Sequence, residues 1–255
     1  MQTGWLEAIS LLQQGDAQGA RDHLLRLPVA HAEQEFLLGV CAHALQDIPQ
    51  AVTCFAQTLQ RDPAHARAAA ALGALLAGAG RHADAEAVLR RNLRRTDDAQ
   101  VRFNLAVVLE DTGRLDDALA EYSQLVARHP GDYAARHNRA GLYARRMQLA
   151  DAAADYRELV RGHPDQTLPW QNLADIEISQ GHYSAALTRL EEVVRREPGN
   201  AKALMSAAIA AAADGQFTAS RHFFQRLQQH DPALWQGALQ RLNGRGGTAT
   251  EPEPE

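Results

Sequence analysis

The feature that most constrains this chain is an internal period of 34 residues. Prolines fall at Pro63, Pro130, Pro164, Pro198 and Pro232; the last four are spaced by 34, and the first interval is 67, or 34 plus 33. Three further series keep the same register: Gly39, Gly73, Ala106, Ala140, Ala174, Ala208; Ala51, Ala85, Ala118, Ala152, Ala186, Ser220; and Phe55, Leu89, Tyr122, Tyr156, Leu190, Phe224. Each of these runs 34, 33, 34, 34, 34. A fixed interval of this size marks stacked supersecondary units, none of which buries its apolar face without its neighbours.

Residues 167–200 show how one unit works. A first helix is predicted from Pro169 to Gln180, ended by Gly181, because glycine accepts the left-handed conformation that closes a helix. A second is predicted from Tyr183 to Arg196, where Pro198 stops it by its ring and missing N–H. Ala174 and Ala186 are small where the two helices cross, while Trp170, Leu173, Leu187, Leu190 and Val194 fill the space between helices and repeats.

This arrangement of a 34-residue helix–turn–helix, turn glycine, crossing alanine, large residue and terminal proline resembles the tetratricopeptide repeat (TPR) family. Clear repeats are read at 32–65, 66–98, 99–132, 133–166, 167–200 and 201–234. Asp97 stands where the pattern expects proline, and Met147 where it expects the turn glycine. Residues 1–31 read as a divergent, shortened first repeat turning at Gly15-Asp16, with Ala20, Leu24 and Leu27 as its second-helix core. Residues 232–243 read as a capping helix whose Trp235 and Leu239 cover the last repeat, and 244–255 as a disordered tail without apolar periodicity. The expected fold is therefore all-α, a solenoid of antiparallel helix pairs with about seven repeats over residues 1–243. The resemblance, to bacterial TPR scaffold proteins and to the TPR region of O-GlcNAc transferase-like proteins, adds a right-handed superhelix with the first helices lining its concave side.

Composition narrows the function classes. Apolar residues make up 45% and charged residues 22%, with a net charge of −5, which argues against a nucleic-acid footprint over the whole molecule. Arg90, Arg91, Arg94 and Arg95 form the tightest basic cluster and read as the solvated outer face of one helix. Cys41 and Cys54 lie in no metal-type or disulfide-framework spacing and are expected as reduced, packed thiols. No apolar run of about 18 residues occurs, and residues 1–12 lack signal-peptide character, so a cytoplasmic protein with no membrane partner is expected.

The resemblance implies which residues line a groove. In the N-terminal half these are Phe36, Leu37, Val40 and His43, then Ala70, Ala71, Ala74 and Ala77, an apolar stretch open to two readings: a seat for a partner helix, or packing between first helices. The C-terminal half supplies Phe103, Asn104, Val107, Glu110 and Asp111, then His137, Asn138 and Arg145, then Gln171, Asn172, Asp175 and Ser179. Asn104, Asn138 and Asn172 recur once per repeat. Each side chain carries a carbonyl acceptor and an amide donor, so a row of them pairs with the main chain of an extended peptide whatever its sequence. Shared ancestry accounts for the same recurrence, since asparagine at this position is common in the family. Glu110, Asp111 and Asp175 with Arg145 between them favour a basic or mixed-charge segment.

Catalytic signals are missing from the sequence. Gly244-Arg245-Gly246-Gly247 follows no strand and fails as a phosphate cradle, and neither a G-x-S-x-G elbow nor an H-E-x-x-H pair occurs. His129 and His163 close second helices, His65, His82 and His182 sit in turns, and none pairs with another histidine at helical spacing. No metal, cofactor or catalytic residue is expected. The chain reads as a non-enzymatic scaffold that binds a protein or peptide and no nucleic acid. The alternatives are a substrate-recruiting or regulatory TPR region of a glycosyltransferase-like or other enzyme system, and a self-assembling structural protein forming a homo-oligomer.

Overall fold

A computed structural model describes residues 2–27 and 31–243, with side chains described for 5–27 and 31–237. The expected tail, its glycine-rich stretch and the Leu239 side chain lie outside the described residues. Fifteen α-helices and no strand are present among the described residues, and they pair in sequence order. Contacts divide the chain into two compact units, residues 1–135 and 136–255.

The first unit carries α1 (Gln2–Gln13), α2 (Ala17–Leu25), α3 (Ala32–Ala44), α4 (Ile48–Arg61), α5 (Ala66–Gly78), α6 (His82–Leu93), α7 (Ala99–Asp111) and α8 (Leu115–Arg128). Sequence register explains each crossing. An ideal Cβ on Gly39 would lie 2.6 Å from the Phe55 ring, and one on Gly73 would lie 2.6 Å from Leu89 Cδ2. Glycine is required there because a large second-helix side chain presses onto the first helix. Facing small residues answer it: Ala51, Ala85 and Ala118 are fully buried.

Chain reversals share one geometry. Gly15, Gly80 and Gly113 take φ of 84°, 74° and 76°, and beyond Gly80 the Arg81 N–H reaches back 2.8 Å to the Leu76 carbonyl. This satisfies a carbonyl that the helix end leaves open. Gln46 takes the same left-handed conformation at φ 61° without being glycine, and Asp47 N–H closes on the Ala42 carbonyl at 2.9 Å. Side chains then start the following helices: Asp47 accepts from Gln50 N–H at 3.1 Å and Asp98 from Val101 N–H at 3.0 Å. His65 does the same through Nδ1, accepting from Ala68 N–H at 3.1 Å, while its Nε2 faces Glu33 at 3.2 Å.

The second unit begins within α9 (Tyr133–Arg145) and continues through α10 (Leu149–Gly162), α11 (Thr167–Ser179), α12 (Tyr183–Arg196), α13 (Ala201–Ala213), α14 (Phe217–His230) and α15 (Pro232–Asn243). Helix α11 starts two residues before the expected Pro169, which sits buried in its first turn, where a proline needs no N–H partner. Met147 makes its turn at φ 60°, and Gly181 and Gly215 at 78°. Ala174, Ala186, Leu187, Leu190 and Val194 form one core with Ala207, Ala208 and Leu227, and Trp170 packs against it. At the far end Trp235 of α15 stacks on Phe224 at 5.1 Å.

Two buried carboxylates tie helices together in this unit. Asp155 on α10 accepts from Arg139 Nε at 2.7 Å and Nη2 at 2.6 Å, and from Arg136 Nη1 at 3.3 Å. Glu177 on α11 accepts from Arg189 Nε at 2.8 Å. Arg139 grips Asp155 with two nitrogens, whereas Arg189 shares its single Nε–H between both Glu177 oxygens. Such charged partners make the burial tolerable, since breaking a buried pair costs about 3–5 kcal/mol.

Candidate functional site

In the first unit the first helices α5 and α7 pack side by side. The C-terminal half of α5 turns small residues outward, Ala74 and Gly78 exposed and Ala77 half-buried, because it is alanine- and glycine-rich. Opposite them stand Asn104, Val107 and Asp111 of α7, and the space between is a cleft of about 250 Å³. Five of the groove residues read from the sequence, Ala74, Ala77, Asn104, Val107 and Asp111, thus meet in one place, and Gly73, Gly78 and Val108, which that groove reading did not name, line it with them.

Asn104 is already engaged. Its Nδ2 donates to the Ala70 carbonyl at 2.9 Å, one repeat away, and its Oδ1 accepts from Gln100 Nε2 at 2.9 Å. Of the two amide protons, one staples α7 to α5 and one is left for a partner. Phe103 is half-buried, edge-on to Tyr122 with ring centroids 5.8 Å apart. Glu110 is half-buried and Asp111 exposed.

The apolar N-terminal stretch is interior in part, with Val40, Ala71 and Ala77 half-buried. Phe36 and Leu37 are buried, and the Phe36 ring lies 5.7 Å from Phe55 and 4.8 Å from His65, with the Arg67 guanidinium 4.6 Å above it. Ala70 is buried as well, while His43 and Ala74 face outward. Of the two readings given for this stretch, packing between helices describes Phe36, Leu37 and Ala70.

The second unit holds the remaining candidates on α9 and α11. His137 and Asn138 are half-buried, and the His137 ring stands edge-on to Tyr156 at 5.7 Å. Burial holds the His137 imidazole below its usual pKa. Asn172 donates from Nδ2 to the Tyr156 hydroxyl at 3.2 Å. Gln171 is buried at 3% exposure, its Oε1 3.4 Å from Asn200 Nδ2, so it is a floor residue and not an open contact. Arg145 is exposed in the last turn of α9.

Asp175 corrects the expected charge of this surface. Its Oδ1 accepts from Ser206 Oγ at 2.8 Å and its Oδ2 lies 3.3 Å from Lys202 Nζ, both on α13. The carboxylate is neutralised within the unit and adds little to an acidic groove. Ile209, one repeat beyond Asp175, is 46% exposed on α13 and was missed by the sequence reading. Its register position would have identified it, had apolar residues in the last repeat been read as surface.

Among the described residues no group of three or more His, Cys, Asp or Glu side chains is placed to hold a metal ion. Cys41 and Cys54 are both free and buried, and burial raises their thiol pKa values, Cys41 to about 11. No described helix is long and apolar enough to cross a membrane.

Repeated helix hairpins in one register, with crossing alanines, left-handed turns and a small-residue cleft between first helices, define an α-solenoid of the helix–turn–helix class. The chain belongs to the tetratricopeptide repeat family, whose sequence profile matches residues 42–100, 85–132, 103–167 and 172–234. No functionally curated protein matches the sequence. Among solved structures, PilF of Pseudomonas aeruginosa is 18% identical with a TM-score of 0.68, over 87% of this chain and 99% of PilF. PilW, described as a widely conserved type IV pilus biogenesis factor, is 20% identical with a TM-score of 0.66, over 82% of this chain and 98% of PilW. YrrB, described as a TPR protein with an unusual peptide-binding site, is 17% identical with a TM-score of 0.59, over 68% of this chain and 90% of YrrB. At these identities the likeness is one of fold.

Proposed function

We propose that this protein is an interaction scaffold whose first helices hold an extended segment of a partner protein. The observation that carries the reading is the cleft between α5 and α7, where Asn104, Val107 and Asp111 face a wall of alanine and glycine. An apolar side chain of the segment lies on Ala74, Ala77 and Val107, and the second N–H of Asn104 meets a main-chain carbonyl. The exposed Asp111 carboxylate attracts a cationic side chain, whose methylene stem covers the alanines. Phe103 supports this stretch from below. On the second unit Asn138, Asn172, His137 and Arg145 offer a further stretch over the Gln171 floor, with Asp175 positioning Lys202 and Ser206. The peptide-binding site ascribed to YrrB and the pilus role ascribed to PilW are consistent with a non-catalytic scaffold. The two free, buried thiols suit a reducing, cytoplasmic setting.

A direct test is selection of peptides from a random display library on the full chain. Selected peptides are then titrated against wild type and an Ala74→Trp variant that fills the cleft from an exposed position. We expect affinity to fall by about ten-fold or more, which is about 1.4 kcal/mol, with an unchanged thermal melt. Equal affinity for both proteins refutes the assignment of the cleft.

A further inference from the structure

The second helices of the first unit enclose a larger cleft, distinct from the one above. It measures about 390 Å³ and is lined by Ala56, Leu59 and Gln60 of α4, Pro63 of the following turn, Leu72 of α5, and Val88 and Arg91 of α6. Register explains why it opens here. The residues equivalent to Ala56 in later repeats are Arg90, Ser123, Arg157, Glu191 and Gln225, so the smallest member of the series stands at this junction. Asn92, buried below, is satisfied: its Nδ2 donates to the Pro63 carbonyl at 3.1 Å and its Oδ1 accepts from Thr96 Oγ1 at 2.8 Å. The floor is therefore settled and the walls are largely apolar.

Charge at the rim is unbalanced. Arginines in this unit mostly have carboxylate partners: Arg90 bonds Glu86 at 2.7 Å, Arg81 bonds Asp84 at 2.7 Å, and Arg114 reaches both Glu86 and Asp117. Arg91, Arg94 and Arg95 do not. Arg95 donates only to the Arg91 carbonyl, at 3.1 Å, and no side-chain hydrogen bond or ion pair joins Arg91 or Arg94 to any described residue. Carboxylates nearby in sequence are used elsewhere. Asp62 accepts from Ala64 N–H at 3.0 Å, Asp97 pairs with Arg102 and Arg128, and Asp98 caps α7. Arg91, in the last turn of α6, lines the cleft itself; Arg94 is the C-cap of that helix and Arg95 lies in the turn beyond, i+3 and i+4 from Arg91, so the positive charge gathers at this end of α6.

We propose that this cleft is a second docking site, for an acidic, extended protein segment. Its aliphatic side chains seat on Leu59, Leu72 and Val88, and its flanking carboxylates pair with Arg91 and Arg94. Arginine suits this task because its fork engages a carboxylate bidentately and is weakly hydrated. A polynucleotide fits less well: no aromatic side chain lines the cleft to stack a base, and the net charge of −5 repels a long polyanion. An extended chain places alternate side chains on one face, so a segment alternating acidic and aliphatic residues matches both requirements.

The test uses the full chain and a fluorescein-labelled octapeptide of alternating glutamate and leucine, followed by anisotropy. Saturable binding is expected, weakened about ten-fold or more by Ala56→Leu, which fills the cleft, and by the pair Arg91→Gln and Arg94→Gln, which removes the rim charge. Methyl resonances of Leu59, Leu72 and Val88 should shift on peptide addition, a readout that stands even if Ala56→Leu lowers the melting temperature. Loss in the arginine pair with no methyl shift and no effect of Ala56→Leu would reduce the site to surface charge and overturn the proposal. It is equally overturned if a lysine–leucine octapeptide or a single-stranded oligonucleotide binds as tightly.

Discussion

Replacing a helix-interior glycine by alanine ought to stabilise a helix by about 0.5–1 kcal/mol, because glycine loses more backbone freedom on folding. Gly73 and Gly141 both lie inside helices, yet the structure assigns them opposite signs. At Gly141 an added Cβ meets only the Tyr156 hydroxyl at 3.9 Å, an ordinary contact, so the full propensity gain should appear. At Gly73 the same atom would lie 2.6 Å from Leu89 Cδ2, 2.8 Å from Cγ and 3.0 Å from Cδ1. Leu89 is fully buried and has no free side toward which to move. Overpacking of this kind costs about 1–3 kcal/mol, and with Cγ itself in the way the upper half of that range applies. After subtracting the propensity gain, a net loss of roughly 1–2.5 kcal/mol remains for Gly73→Ala. For a chain of this length that lowers the melting temperature by about 2–10 °C, whereas Gly141→Ala raises it by about 1–4 °C. Thermal melts of the two variants by far-ultraviolet circular dichroism decide the matter. Shifts in the same direction would show that α5 and α6 do not approach as closely as described.

Two further predictions follow from local geometry. Met147 holds a left-handed φ of 60° and is 75% exposed, so Met147→Gly relieves backbone strain and forfeits no packing; a gain of about 0.5–1 kcal/mol is expected in urea unfolding, and a loss would show that the side chain has a supporting contact. His137 has its pKa lowered by burial, so the unfolded chain takes up its proton first on acidification. Its contribution is therefore present above the ordinary histidine value of about 6.5 and is lost as pH falls through that value toward the folded one. The stability of the wild type should drop relative to His137→Gln as the pH falls through about 6.5, and parallel curves for the two proteins would refute this.

Much of the architecture is readable without coordinates because each repeat states it in several independent ways. The second helix of residues 167–200 runs from Tyr183 to Arg196 as its pattern predicts, since Gly181 and Pro198 bracket it chemically. The register of Gly39, Gly73 and the alanines after them encodes the helix crossings, because only a small residue admits the ring or leucine opposite. Turn chemistry is less legible where glycine is absent. Met147 was visible as a departure from the pattern; Gln46, one repeat before Gly80, stands in the same register position and adopts the same conformation, although the turn-glycine series was not followed back that far.

Sites are harder to read, because a repeat position specifies a face of a helix and not what stands opposite it. Periodicity assigned Gln171 to a groove; the tertiary structure buries it, because α13 brings Asn200 against it. Asp175 carried a charge in the sequence and loses its effect in the fold, since Lys202 and Ser206 arrive from the next repeat. Asn104 recurs with Asn138 and Asn172 as a motif, yet only the packing of α7 on α5 commits its amide to the Ala70 carbonyl. Even Arg91 reads as part of an ordinary solvated face until α4 and α5 place Leu59 and Leu72 around the same cleft. The sequence by itself determined the helix hairpins, their crossings and their stacking order, because local propensity and small-residue spacing act within a repeat and its neighbour. Which polar groups remain available to a partner was decided only in three dimensions, where competitors such as the Ala70 carbonyl, Asn200 and Ser206 arrive from the neighbouring repeat.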